Sequence, residues 1–369
     1  MPKPRIMELR FPSLGIVRRL VHERTASAVS YPTPYAVNCR LEDSLTNRMR
    51  GGSFTGMSAG SRPSIIEYRD RLLTIGDGTN DNAVKASRVG AQTTYDYSTD
   101  LSDTLRATIF QFSEAGETGE DIVALVPHKD TFLLGFTARE TWVQQGDPLT
   151  GPRRRVSDEV GIVGADAWCV VHDTVYFLSA RGLYSVSADG SGLKALSEDK
   201  IPEHLSGLSD TAAKLTYRHA SRGIYITLTS GVDWFYDTER DAFWAYDTGE
   251  GTSHVLIGPL RLGGPNQVGL LQTLTGVIAA SSGAVTWRVV SGDTAEGVCD
   301  DGKAAITAYL AGNDYDQYFD ASGAWDAGRS YTEWPRVRDA WCCIWLSASS
   351  AWAYESMIAE VIPFGRHKV

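Results

Sequence analysis

The chain has 369 residues, 43% of them apolar, with 36 Gly, 10 Trp, 16 Tyr and 11 Phe, and a net charge of −10. This composition suits a soluble globule with a large aromatic core and many turns, and no apolar run approaches the about eighteen residues a membrane helix needs. Five cysteines, an odd number without metal-ligand spacing, and an N-terminus without an apolar leader before Arg10 lead us to expect reduced thiols and synthesis in a cytoplasm.

Residues 1–62 differ from the rest. They carry ten Lys or Arg against four Asp or Glu, a balance of +6, which leaves −16 for residues 63–369. Five prolines, the Gly51-Gly52 pair and a few scattered apolar anchors such as Leu9, Phe11 and Tyr35 cannot form a core. The segment reads as an extended basic arm ordered by a partner. Nucleic acid is one such partner. The interleaved Glu8, Glu23, Glu42 and Asp43, with no aromatic ladder, favour an acidic protein surface instead, including the −16 body of a sister copy.

From residue 63 onward a single cadence recurs, with short β-branched and aromatic runs separated by tight turns. Ser64–Gly76 gives strand, Arg69-Asp70 turn, strand. Asp121–Phe136 with Glu140–Val143 repeats it, and Asp166–Val186 contains three runs split at His172-Asp173 and Ala180-Arg181-Gly182. A fourth unit comprises Ala213–Tyr217, Gly223–Thr229, Val232–Asp237 and Ala242–Tyr246. A fifth comprises Val255–Leu262, Val268–Gln272, Gly276–Ala280 and Val285–Val289, and the last joins Ala304–Leu310 to Trp341–Leu346, Trp352–Tyr354 and Met357–Pro363. One meander cannot bury its apolar face alone, whereas units repeating every roughly forty to sixty residues match propeller blades. The expected fold is all-β, a β-propeller of about six blades (five to seven allowed) over 63–369, preceded by the extended arm 1–62. Helical periodicity is nearly absent; only Ile201–Leu208 and Ser356–Val361 could wind.

Candidate chemistry is sparse. His128-Lys129-Asp130 and His172-Asp173 sit at hairpin turns, where contiguous side chains diverge. Ser187–Gly192 resembles a sialidase-type Asp-box but reads as a hairpin loop whose Asp caps its own backbone. Asp314, Asp316 and Asp320, and the cluster Asp77–Asn82, lack the register of a calcium loop. The seven histidines have no zinc spacing, and no phosphate loop, nucleophile elbow or dinucleotide fingerprint is present. No catalytic residue, metal or cofactor is expected. Arg153, Arg154 and Arg155 form the densest positive spot of the acidic body. Pro148 and Pro152 place them in a long inter-blade loop, suited to a salt-bridge cluster between copies, a phosphate-facing rim or simple solvation. Trp234, Tyr236, Trp244 and Tyr246 form either blade-to-blade core or the open rim of a carbohydrate-binding or glycan-hydrolysing propeller.

Leu134-Gly135-Phe136, Arg139–Val143, Gly146-Asp147-Pro148, Ser157–Gly164, and the Asp173–Leu178 hairpin with Gly182–Val186 together resemble tail-associated propellers of tailed bacteriophages, among them packaged-DNA stabilisation and tail-nozzle proteins. Pro34–Asn38 through Arg48–Gly52 is similar to the leading arm of these virion proteins, and Trp352–Glu355 through Gly365-Arg366 to their closing strand. The resemblance implies a structural virion protein without catalysis, a ring or nozzle component of the tail or head–tail connector that lines or closes the DNA exit path. It also implies docking through the arm (Tyr35, Asn38, Arg40, Arg48, Arg50) on portal, adaptor or other tail proteins, and a six-fold homo-oligomeric ring with passive contact with packaged DNA and none with membrane. On this reading, removing residues 1–60 abolishes assembly and leaves the body folded. The competing class is a carbohydrate-binding or glycan-hydrolysing receptor-binding component.

Overall fold

The structure is a computed structural model that describes residues 5–9, 35–37, 39–43, 48–51, 65–76, 82–90, 102–115, 117–187, 189–246, 252–264, 267–280, 282–326 and 330–366. Among the described residues it is all-β apart from one 16-residue helix and short helical turns. The chain forms two compact units, residues Ser58–Gly231, and Met1–Met57 together with Val232–Val369.

The Ser58–Gly231 unit contains meanders of the expected kind. Three antiparallel four-stranded meanders follow one another: Ile65–Tyr68, Arg71–Ile75, Ala83–Ala86 and Thr108–Gln111; then Ala124–His128, Phe132–Phe136, Thr141–Gln145 and Arg153–Ser157; then Trp168–Val171, Thr174–Ser179, Gly182–Val186 and Leu193–Ala195. The hairpin Lys214–Arg218 with Gly223–Thr227 follows. The tight turns fall where polar dipeptides marked them. Arg69 and Asp70 have φ of 51° and 56°, and Lys129 and His172 have 50° and 53°, the left-handed backbone that short hairpin loops of two or three residues use. Phe132–Phe136 is buried at every position, so this strand is covered on both faces, as a stacked blade must be.

Meander-to-meander packing accounts for several sequence features. Tyr68, Leu73, Val84 and Phe112 of the first meander form one apolar cluster with Leu133 and Trp142 of the second. Gly135 is the point of closest approach, since a Cβ there would lie 2.2 Å from the Phe112 ring. Phe136 meets Phe177 of the third meander at 4.6 Å. Arg71 is fully buried. Its Nη1 donates to the Ser87 and Arg106 carbonyls at 2.8 and 2.6 Å, and its Nε donates to Asp147 Oδ2 at 3.0 Å. A buried guanidinium persists only when paired and hydrogen-bonded, so the Gly146-Asp147-Pro148 loop supplies the counter-ion that fixes the first meander to the second.

The unit of Met1–Met57 and Val232–Val369 is built differently. One sheet runs in the order Asp233–Asp237, Ala242–Tyr246, Tyr35–Val37, Ser253–Arg261, Trp341–Ala348, Val285–Gly292 and Ala321–Trp325. In the other, Gln267–Ile278 and Trp352–Arg366 pair along their length, flanked by Ser330–Glu333 and Val337–Asp339 on one side and by Arg5–Leu9 and Arg48–Gly51 on the other, with Cys39–Asp43 beyond. The helix Ala295–Leu310 packs on the first sheet and buries Val298, Cys299, Gly302, Ala305 and Ile306.

Several strand-level expectations are corrected here. The fifth and sixth units are not separate blades. The runs Val268–Gln272 and Gly276–Ala280 belong to one long strand, because Gly276 is not a turn but a gap filled by the Trp325 ring, 2.6 Å from where a Cβ would stand. Ala304–Leu310 is helix, not strand. Thr294 caps that helix by accepting from the Gly297 N–H at 3.1 Å, and Gly302 lets it approach Leu256 to 2.7 Å of a Cβ position. Of the two segments thought able to wind, Pro202–Leu205 is a single helical turn, and Ser356–Val361 lies within a strand. The N-terminal segment is not wholly extended outside the body. Tyr35–Val37 is inserted between Ala242–Tyr246 and Ser253–Arg261, parallel to the first and antiparallel to the second. Deleting residues 1–60 therefore takes strands out of both sheets, contrary to the expectation of an intact body.

Candidate functional site

The expected basic loop is a strand. Arg153–Ser157 pairs with Thr141–Gln145 as the outermost strand of its meander, the edge position where neighbouring prolines are tolerated. Its arginines are engaged within the chain. Arg153 lies 4.2 Å over the Phe110 ring and donates to the Pro148 carbonyl at 2.7 Å. Arg154 donates to the Gly190 carbonyl at 2.9 Å. Arg155 pairs with Glu114 at 2.8 Å and Glu140 at 3.0 Å; Glu140 in turn accepts from the Trp142 indole at 2.7 Å. The Glu140-Thr141-Trp142 motif is thus an anchor for the edge strand. These side chains line an open concavity of about 690 Å³, whose positive charge is offset by Glu114 and Asp158 on its walls.

Of the arm residues, Tyr35, Arg40, Arg48 and Arg50 lie on paired strands, and Asn38 lies outside the described residues. Trp234, Tyr236 and Trp244 are buried at 2%, 3% and 1% exposure, so they are core and not a rim. At Asp189–Gly192 the loop caps itself as expected. Asp189 accepts from the Ser191 hydroxyl and N–H at 2.6 and 2.9 Å, and these bonds bring its carboxyl down to about 2. Asp314 accepts from the Asp316 N–H at 3.1 Å, and Asp320 from the Ser291 N–H at 3.1 Å. Among the described residues no group of three or more His, Cys, Asp or Glu could hold a metal, and no helix is long and apolar enough to cross a membrane. Of the Asp77–Asn82 cluster, only Asn82 is described.

Sequence reasoning missed an arginine held in an aromatic cage. Across the first sheet of the Met1–Met57 and Val232–Val369 unit, Leu256, Trp345, Arg288 and Ser322 form one cross-strand row, and His254, Ser347, Thr286 and Ala324 form the next. Side chains two residues apart share a face. The helix adds Tyr309, and the segment after it adds Tyr315 and Phe319. The Arg288 guanidinium lies 4.3 Å from the Trp345 ring centre, 5.2 Å from Tyr315, 5.7 Å from Phe319 and 5.9 Å from Tyr309. Its Nη1 donates to Ser347 Oγ at 2.9 Å. Trp345 is itself oriented by donating its indole N–H to His254 Nδ1 at 3.2 Å. His254 is fully buried, its Nε2 has no hydrogen-bond partner, and burial, reinforced by the Arg288 charge, pushes its pKa down to about 4. Beside Arg288 opens a pocket of about 580 Å³ lined by Thr286, Tyr315, Asp316, Phe319 and Ser322. It is bounded by Ala321–Trp325, the end strand of that sheet.

No family model and no curated protein matches this chain. Among solved structures, it is similar to BamB from Moraxella catarrhalis, at 16% identity over 55% of each chain with a TM-score of 0.33. It is also similar to the extracellular domain of a putative hybrid two component system of B. thetaiotaomicron, at 13% identity over 58% of this chain and 26% of that one, TM-score 0.32. A third is the N-terminal domain of Nup159, at 8% identity, 74% and 78% coverage and TM-score 0.31. The chain thus spans about a quarter of one of these proteins and about half of another. The fold established is all-β with propeller-type four-stranded antiparallel meanders.

Proposed function

We propose that the chain is a non-catalytic structural protein of a tailed-phage particle, a ring or nozzle component of the tail or head–tail connector, assembled in several copies against portal, adaptor or other tail proteins around the DNA exit path. The observation that carries the reading is the interlacing of the two chain ends. Arg5–Leu9 and Arg48–Gly51 both pair with Trp352–Arg366, which is bonded along its other side to Gln267–Ile278. Antiparallel hydrogen bonds lie perpendicular to the strands. Both segments are thus held by ladders of such bonds to one shared strand, as suits a wall that holds against internal pressure. The engagement of Arg153, Arg154 and Arg155 within the chain supports the same reading. An acidic body in which Arg155 is ion-paired and Arg153 and Arg154 are tied to backbone carbonyls offers DNA little to grip. Multi-angle light scattering of the full-length chain, with mass spectrometry of purified virions, tests the proposal. We expect a ring-sized oligomer and a peptide signature in the particle. A monomer at all concentrations together with absence from virions refutes it.

A further inference from the structure

Independently of that role, we propose that the Arg288 pocket is a binding site for an acidic sugar, a saccharide carrying one carboxylate. Three observations on the pocket point to this chemistry. First, Arg288 is a guanidinium without a counter-ion. Among the described residues it makes no ion pair and its one hydrogen bond is to the neutral Ser347, while the four surrounding rings occupy its surroundings and leave Nε and Nη2 without a hydrogen-bond acceptor. Rings stabilise such a cation and hold its plane fixed, and a fixed guanidinium edge presents two parallel donors that match a carboxylate. Second, the same pocket carries a carboxylate of its own, Asp316, with the Thr286 and Ser322 hydroxyls. Asp316 repels a second anion yet accepts hydrogen bonds from hydroxyl groups, so the wall asks for a ligand with one negative charge and several hydroxyls. Third, Tyr315 and Phe319 supply aromatic surface for the C–H face of a pyranose, and about 580 Å³ accommodates one or two sugar rings. A plain dicarboxylate or a strongly acidic peptide satisfies Arg288 but not Asp316, and a neutral sugar leaves Arg288 unmatched.

The test uses the full-length chain and isothermal titration with three probes: glucuronate, glucose, and an acetylated Glu-containing tripeptide amide. We expect glucuronate to bind, glucose to bind at least about tenfold more weakly, and Arg288→Gln to lose about tenfold in glucuronate affinity, the loss of one charge-assisted contact. Asp316→Ala is expected to raise the affinity for acetate, because it removes the repulsion, and to narrow the preference for glucuronate over acetate, because it removes the hydroxyl acceptor. This surface variant keeps the test decisive where Arg288→Gln fails to fold. Absence of a saturable glucuronate signal up to tens of millimolar, equal binding of glucose, or tighter binding of the peptide each overturns the proposal; the last outcome assigns the pocket, with its neighbouring end strand, to peptide docking instead. None of these results bears on oligomerisation, so failure here is distinct from failure of the structural role.

Discussion

His254 makes the stability of the Met1–Met57 and Val232–Val369 unit depend on mild acidity. In the folded chain its pKa is about 4 against an ordinary 6.5, because the ring is buried between Tyr309 and Trp345, with centroids 5.1 and 5.8 Å away, and stands beside the Arg288 charge. Between those two values the unfolded chain takes up a proton that the folded chain refuses. Stability from this group is therefore complete above about pH 6.5 and is lost as the pH falls toward 4. From about pH 7.5 to about pH 5 the loss is about 2 kcal/mol. The informative variant is His254→Asn, whose Oδ1 can replace Nδ1 as acceptor of the Trp345 indole N–H and which does not titrate. It forfeits ring packing at every pH, at a cost of about 1–3 kcal/mol, but its additional loss at pH 5 is expected to be smaller than that of the wild type by the about 2 kcal/mol above. Urea unfolding followed by tryptophan fluorescence at the two pH values measures both slopes. Lowered carboxyls such as Asp189 and Asp173 titrate in both proteins and cancel in the comparison. Equal slopes for wild type and variant refute the argument.

Three further outcomes are expected. Arg71→Leu leaves Asp147 and three backbone carbonyls without their donor and costs about 3–5 kcal/mol; thermal unfolding checks this, and a cost below about 1 kcal/mol contradicts the role assigned to the buried pair. Gly135→Ala forces a methyl group into the Phe112 ring and destabilises by about 1–3 kcal/mol, with Phe112→Leu in the same chain expected to recover part of the loss in the same melts. Deletion of residues 1–57 removes Tyr35–Val37 from between its two partners. Hydrogen exchange is expected to rise in Ser253–Arg261 and Trp352–Arg366 and to stay slow in Phe132–Phe136, and unchanged protection of Ser253–Arg261 counts against the interlaced arrangement.

The three meanders were legible because each is written locally. The turn dipeptides Arg69-Asp70 and His172-Asp173 lie between runs that pair with their immediate neighbours, so pattern and partner coincide. In the second half the hairpin Asp233–Asp237 with Ala242–Tyr246 was legible in the same way, but the rest was not, because its partners are distant in sequence. Gln267–Ile278 finds Trp352–Arg366, and the strand between Ala242–Tyr246 and Ser253–Arg261 comes from residues 35–37. The break before Gly276 misled there because that glycine serves side-chain clearance, making room for Trp325. The helix signal itself was present, with Val298, Cys299, Gly302, Ala305 and Ile306 on one face, but Gly297 and Gly302 interrupt the run and lower its helix propensity. The Arg288 cage was hidden for a related reason. Arginine in Val285–Gly292 looks like the solvent-facing position of an alternating strand. The rings that enclose it are spread over Tyr309, Tyr315, Phe319 and Trp345, and no local motif links them. Arg153, Arg154 and Arg155 were legible as a cluster, while their acceptors at Pro148, Gly190, Glu114 and Glu140 come from loops and strands that only the fold assembles.

The insertion of Tyr35–Val37 deep in a sheet completed by Trp341–Ala348 also sets a timetable for biosynthesis. A ribosome making about 5–20 residues per second exposes this segment for about ten to forty seconds before Ala242–Tyr246 and Ser253–Arg261 emerge. The intervening blades are finished first, so the leading strands wait, unsatisfied, beside an already folded neighbour. Such a nascent chain gains from a holding chaperone and from slow entry into crowded polysomes, where waiting segments of adjacent chains would otherwise pair with each other.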